Sequence, residues 1–200
     1  MNRTFILLAG ILLTVVASFA GLVLVPNWQF SGLKPYTDEN TNVAHPTQYY
    51  GANLQGRAVY TDLGCLYCHS QQVRTANFGA DIDRGWGTRR SVARDYIYDN
   101  PPLLGTMRTG PDLHNIGARQ TSSNWHYLHL YDPQITSPGS VMPPHPFLFQ
   151  RLEGKAPKEG AQLPATYAKT ESYIVPTERG RVLVEYLKSL DHSYELPEAK

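Results

Sequence analysis

The chain opens on an apolar run, Phe5 to Val25 (FILLAGILLTVVASFAGLVLV), with no charged residue in it. Wound as a helix at 1.5 Å per residue, the run covers about 31 Å, enough to cross a hydrocarbon core. Arg3 precedes it and Pro26 is expected to end it. The alternative is a cleaved signal peptide, since Ser18-Phe19-Ala20 has small residues spaced for cleavage before Gly21. The run continues through Val25, past the roughly 7–15 residues of a signal's central region. Cleavage would also leave a greasy GLVLV terminus, so an uncleaved anchor is the preferred reading. Either way the rest of the chain is exported. The positive-inside rule keeps Arg3 in the cytoplasm and puts everything after Pro26 on the outer face.

Beyond the anchor (1–25), residues 26–47 are polar and turn-rich with no helical or strand period, and read as a linker. Trp28 and Phe30 are expected at the headgroup level. The remaining residues, 48–200, form the exported domain. From Gln48 to Leu63 the positions Tyr49, Ala52, Gly56, Val59, Tyr60 and Leu63 recur at spacings of three and four. They predict an amphipathic helix capped by Thr47 and ended near Gly64. A second helix is predicted over Glu178–Leu190, started by Pro176 and Thr177. Its stripe is Val182, Leu183, Tyr186, Leu187 and Leu190. Ser123–Tyr131 is a shorter candidate and Val92–Tyr98 a weaker one. No segment alternates as a strand. The expected class is mainly α, a single N-terminal transmembrane helix followed by a small helical domain with long loops.

Composition narrows the function. The 200 residues include 16 Gly and 15 Pro, so loops are long. Such a chain needs something besides its own side chains at its centre. A net charge of +1 lacks the basic excess of a nucleic-acid binder. Two Cys cannot build a disulfide-dense scaffold or a four-Cys zinc site.

Both cysteines fall in Cys65-Leu66-Tyr67-Cys68-His69, the C-x-x-C-H signature of c-type haem attachment. Thiols three apart on one turn reach both vinyl groups of one porphyrin, and the following His69 can ligate the iron through Nε2. A thiol–disulfide exchange site would sit at a helix N-terminus after a strand, whereas this motif closes a helix. Zinc would need two more ligands at finger-like spacing. One covalent haem c is therefore the expected cofactor.

An axial histidine usually donates its other ring N–H to a carbonyl that fixes its orientation. The Gly110-Pro111-Asp112-Leu113 turn resembles the loop that supplies this carbonyl, from Pro111, in class I cytochromes c. Met107 lies too near that turn to reach the opposite face. Met142 sits in a Pro-stiffened loop, SPGSVMPPHPF, and is the preferred sixth ligand; His145 is the rival, and filling core is the bland alternative. His/Met ligation closes both axial positions, so the domain should carry one electron and catalyse nothing by itself. Seven arginines lie between residues 70 and 119, and Arg108 is the favoured partner for a haem propionate. Trp125, His126 and His129 share a short helix and are expected to pack rather than ligate.

Taken in order, these residues resemble one family, the membrane-anchored mono-haem subunit (subunit II) of cbb(3)-type cytochrome c oxidases. The similar stretches begin with Gly32–Tyr36, Gln55-Gly-Arg57 with Tyr60, and Gly64–Gln71 with Arg74. Tyr98-Asp99, Arg108–Leu113 with Gly117, and Trp125-His126 with His129-Leu130 follow. Met142-Pro143 with Pro146 and Tyr186-Leu187 complete the series. The resemblance implies a class I cytochrome c-like fold. It also implies haem attachment at Cys65 and Cys68, with His69 and Met142 as axial ligands. As partner it implies a membrane catalytic subunit with haem b and a haem–copper centre that reduces O2. A further cytochrome c subunit or a soluble cytochrome c would be the electron donor. The expected location is the bacterial inner membrane, single-pass, with the haem domain on the periplasmic face.

Two readings stay close to this one: the cytochrome c subunit of a nitric oxide reductase, and a free-standing anchored shuttle. Neither needs the RTGPDL or WHxxHL runs. A haem sensor or peroxidase would require an open axial position.

Overall fold

The structure, a computed structural model, describes residues 3–39, 41–168 and 170–199. Arg3–Phe30 is one continuous helix, long and apolar enough to cross a membrane, with a mean hydropathy of 2.6 and no part of it buried by the rest of the chain. It comprises α1 (Arg3–Phe19), a π-helical turn (Ala20–Leu24) and α2 (Val25–Phe30). Pro26 does not end it. A proline ring lacks an N–H and crowds the carbonyl four residues back. Here the turn before it widens, with Val25 N–H bonded to Ala20 O, and the helix continues to Phe30.

The segment read as a plain linker is partly ordered against the domain. Strands β1 (Tyr36–Thr37) and β2 (Ala44–His45) form an antiparallel hairpin pairing Tyr36 with His45. The His45 ring stacks on Tyr194 at 4.2 Å. Arg94, which pairs with Glu198, also donates to Lys34 O.

The domain is mainly helical, as its periodicity predicts. Helix α3 (Gly51–Asp62) begins later than expected, because Tyr50 is extended and Gly51, at φ +54°, turns the backbone into the helix. Thr47 is therefore not its cap. Helix α6 (Glu178–Ser189) is capped by Thr177, whose side chain accepts from Gly180 N–H. These helices cross at Gly56, where a Cβ would lie 1.9 Å from Val182 O and 2.5 Å from Tyr186 Cβ. Tyr186 then meets Tyr49 and Tyr60 edge-on at 5.5 and 5.7 Å. Short α4 (Ile116–Arg119) docks on the end of α6: Gly117 N–H donates to Leu190 O, and a Cβ on Gly117 would sit 2.2 Å from Lys188 O. Helix α5 (Ser123–Tyr131) has the predicted bounds, with Ser122 capping Trp125 N–H. Val92–Tyr98 contains only a 3-10 turn, Ala93–Tyr96.

The expectation of a domain without strands also fails. A three-stranded antiparallel sheet, in the order β3–β5–β4, is built from β3 (Phe149–Glu153), β4 (Ala161–Gln162) and β5 (Ser172–Pro176). Strand β3 buries only Phe149 and leaves the rest exposed, so alternation could not reveal it. Its identity comes from the β5 backbone opposite, nineteen or more positions away in sequence. Phe149 packs edge-on against Tyr127 and Tyr131 of α5, which ties the sheet to the helical core.

Candidate haem-binding site

Helix α3 stops at Gly64, in the left-handed region at φ +72°, and the cysteine motif forms its own tight turn. Cys68 N–H and His69 N–H both return to Cys65 O, at 3.2 and 2.9 Å. Cys65, Cys68 and His69 thus hang from one turn just beyond the α3–α6 crossing, and both thiols are free and half-buried. Tyr60, buried in that crossing, donates its hydroxyl to His69 O. Burial pushes the Cys65 thiol up to about 11, the reverse of what a thiol-exchange nucleophile needs.

The segment after the motif is laced to the 110–113 turn. Gly110 N–H donates to Cys68 O and Leu113 N–H to Ser70 O, each at 3.0 Å, while Gln72 N–H meets Asp112 Oδ2 at 2.8 Å. This brings Pro111 O to 2.8 Å from His69 Nδ1. A carbonyl only accepts, so Nδ1 carries the proton and Nε2 keeps its lone pair. Among the described residues no group hydrogen-bonds Nε2. Burial lowers the His69 pKa, opposed by Pro111 O and the Asp112 charge, and Arg119 lowers it further. The neutral ring is thereby favoured. It lies against Gly110, where a Cβ would fall 2.2 Å from Cε1.

Met142 is half-buried in the loop between α5 and β3, and its N–H donates to Ser140 Oγ at 3.2 Å. It packs against the same core as Cys65, Leu66, Leu113, Leu128 and Ile135. His145 follows it, with N–H bonded to Leu130 O and a buried Nδ1 that has no partner. Met107 is 52% exposed and supplies only its carbonyl, to Arg108 and Ser70.

Arg108 is committed to protein partners. It donates to both oxygens of the fully buried Asp81, to Ser70 Oγ at 2.6 Å and to Gln72 O at 2.8 Å. Arg74 binds Asp81 from another side. Together these donors hold the Asp81 carboxyl far below the usual range. Trp125 stacks on His129 at 4.6 Å and meets His126 edge-on at 5.3 Å. His126 Nε2 bonds Gln120 O and His129 Nδ1 bonds Thr136 Oγ1. Burial, with His69 and His126 adding, pushes His129 down to about 4.

Two features escaped the sequence reading. Behind the 110–113 turn, His114 stacks on His192 at 3.9 Å beside a buried Arg89–Asp95 pair. Arg119 presents a half-buried guanidinium that donates to the Asp112 carbonyl. The first joins positions 78 residues apart; the second was one of seven arginines with nothing local to distinguish it.

The donor set fits a covalently held haem. Two free thiols and an imidazole with a free Nε2 share one turn, a glycine makes room for the ring, and the Met142 thioether packs against the same core as Cys65. A helical domain of this kind, following a helix long enough to cross a membrane, is what a mono-haem cytochrome subunit would present. The chain is a member of the cytochrome c oxidase mono-haem subunit/FixO family, whose family model matches residues 1–173. The match runs from the anchor into β5 and stops short of α6. No curated protein matches the chain.

Proposed function

We propose that this chain is the electron-transfer subunit of a cbb(3)-type haem–copper oxidase, carrying one electron at a time toward an O2-reducing membrane subunit. Cys65 and Cys68 hold one haem c by thioether bonds, and His69 Nε2 and Met142 Sδ are its axial ligands. A haem so ligated supplies reversible one-electron transfer between ferric and ferrous iron. The residues do the rest. Pro111 O fixes the His69 tautomer and plane, Gly110 gives the ring its place, and the Pro-rich loop holds Met142. The observation that carries the reading is the His69–Pro111 hydrogen bond beside the two free thiols.

Both axial positions are then filled by protein, so O2 chemistry belongs to the partner subunit, with its haem b and copper. Arg3 stays in the cytoplasm, and the haem domain stands on the outer face of the bacterial inner membrane. A further cytochrome c subunit or a soluble cytochrome c delivers the electron.

Gentle detergent extraction of native membranes, with capture through a C-terminal tag, tests this. Co-purification of b haem, copper and cyanide-sensitive O2 uptake is the expected outcome. A chain that comes alone with one c haem is a free-standing shuttle. Haem b with non-haem iron and no copper identifies a nitric oxide reductase instead.

A further inference from the structure

The stretch that carries Pro111 is held from two sides. On one side Gly110 N–H and Leu113 N–H donate to the segment bearing the cysteine motif, and Pro111 O meets His69 Nδ1. On the other lies the chain just past α6. Gly117 N–H donates to Leu190 O at 2.9 Å, and His192 N–H donates to Asn115 Oδ1 at 2.8 Å. The buried His192 ring reaches His114 O at 2.8 Å through Nδ1 and stacks on the His114 ring at 3.9 Å. A carbonyl only accepts, so His192 Nδ1 is the donor and carries the proton.

His114 passes this restraint toward the axial ring. Its N–H donates to Asp112 Oδ1 at 2.9 Å, while Asp112 Oδ2 accepts from Gln72 N–H and Ser70 Oγ. Residues 112–114 are thus one closed turn, fastened to the motif segment through Asp112 and to the C-terminal segment through His114 O. The carbonyl that orients His69 belongs to the residue just before it. Among the described residues no donor but His192 reaches His114 O. A buried carbonyl stripped of its donor is costly, and the turn would move to relieve it. Leu190 and His192 lie outside residues 1–173, which the family model matches, so this restraint is no part of what that match describes.

We propose that His192 is a positioning residue for the axial ligand: its Nδ1–H, by holding His114 O, keeps the Pro111 carbonyl on His69 Nδ1. The proposal rests on the haem site argued above. A hydrogen bond at Nδ1 makes Nε2 the stronger donor to iron and favours the oxidised state, so His192 acts on the reduction potential without touching the haem.

The test compares the full haem-loaded chain in detergent with its His192→Phe and His192→Asn variants. Phenylalanine keeps a ring to stack on His114 and removes the donor; asparagine drops the ring and keeps an N–H near the place of Nδ1. The readouts are the reduction potential and, by NMR of the reduced protein, solvent exchange of the His69 Nδ1 proton against that of α3 and α6 backbone amides. His192→Phe should raise the potential and speed exchange of the Nδ1 proton while the helix amides exchange as in the wild type; His192→Asn should return both toward wild-type values. A merely structural role would speed the helix amides too and leave the potential unchanged. Wild-type potential and Nδ1 exchange in His192→Phe overturn the proposal and leave the haem site standing. So does an equal shift in His192→Asn, because the effect then does not follow the donor. If His192→Phe does not accumulate, His192→Gln, whose amide stands nearer the place of Nε2, is read in the same way. A wild-type chain without covalent haem removes the haem site and this proposal together.

Discussion

The imidazole of His69 rests on the bare backbone of Gly110, at a separation no side chain would permit. The same Gly110 donates its N–H to Cys68 O, so one residue ties down the motif turn and shapes the bed for the ring. Gly110→Ala should therefore leave both thiols able to capture haem while displacing the ring and weakening its bond to Pro111 O. The expected signature is a covalent haem whose reduction potential shifts and whose reduced form binds carbon monoxide. A variant with wild-type potential and no carbon monoxide binding would show that the ring tolerates a Cβ there.

Replacing the proposed sixth ligand separates attachment from ligation. Met142→Ala should keep the haem covalently bound and open the iron to carbon monoxide, whereas Cys68→Ala should lose stable attachment. Denaturing gels stained for haem and carbon monoxide difference spectra read the two effects. An unchanged potential with no ligand binding in Met142→Ala would pass the role to another residue, with His145 next in line.

The crossing beneath the site depends on Gly56. Alanine there places a Cβ against the Val182 carbonyl and the Tyr186 Cβ, backbone and stem that cannot swing aside. Such overpacking typically costs about 1–3 kcal/mol. Urea unfolding of Gly56→Ala should show a lower midpoint with an unchanged slope. A loss well below about 1 kcal/mol would mean that the helices can part at little cost.

Stability should fall on mild acidification. Burial, reinforced by His114, pushes His192 down to about 3, so the folded protein holds it neutral while the unfolded chain protonates it near pH 6.5. The unfolded state then binds the extra proton, and stability is complete above about pH 6.5 and declines as pH drops toward about 3. Each pH unit in that window costs about 1.4 kcal/mol for one such group. The charges facing the pair do not reverse this: Asp95 is engaged by Arg89, Val92 N–H and Tyr194. Urea midpoints at about pH 7 and about pH 5 should differ less in His192→Gln than in the wild type. Equal differences in the two proteins would place the acid sensitivity elsewhere.

How much was legible depended on how local each feature is. The Cys65–His69 turn, the Pro111 turn, the span of α5 and the stripe of α6 are each written in a dozen residues or fewer, because their spacing is what hydrogen bonding and burial act upon. The sheet was not legible, since β3 shows no alternation and owes its existence to β5. Nor was the path of the helix past Pro26, where a wider turn absorbs what a proline normally breaks.

The arginines mark the same boundary most sharply. Any of them could pair with a carboxylate, and only the packed chain reveals that Arg108 has spent its donors on Asp81 and Ser70 while Arg119 keeps an unpartnered Nε. By itself the sequence determined an apolar helix long enough to cross a membrane, a helical domain, and a haem-attachment motif with its family. Tertiary structure decided which glycines carry the close approaches, which histidines stack out of water and which arginines meet a carboxylate. The physical reason is one of range: periodicity and motif spacing are properties of neighbours along the chain, whereas desolvation and charge pairing are settled by groups that meet only when distant segments fold together.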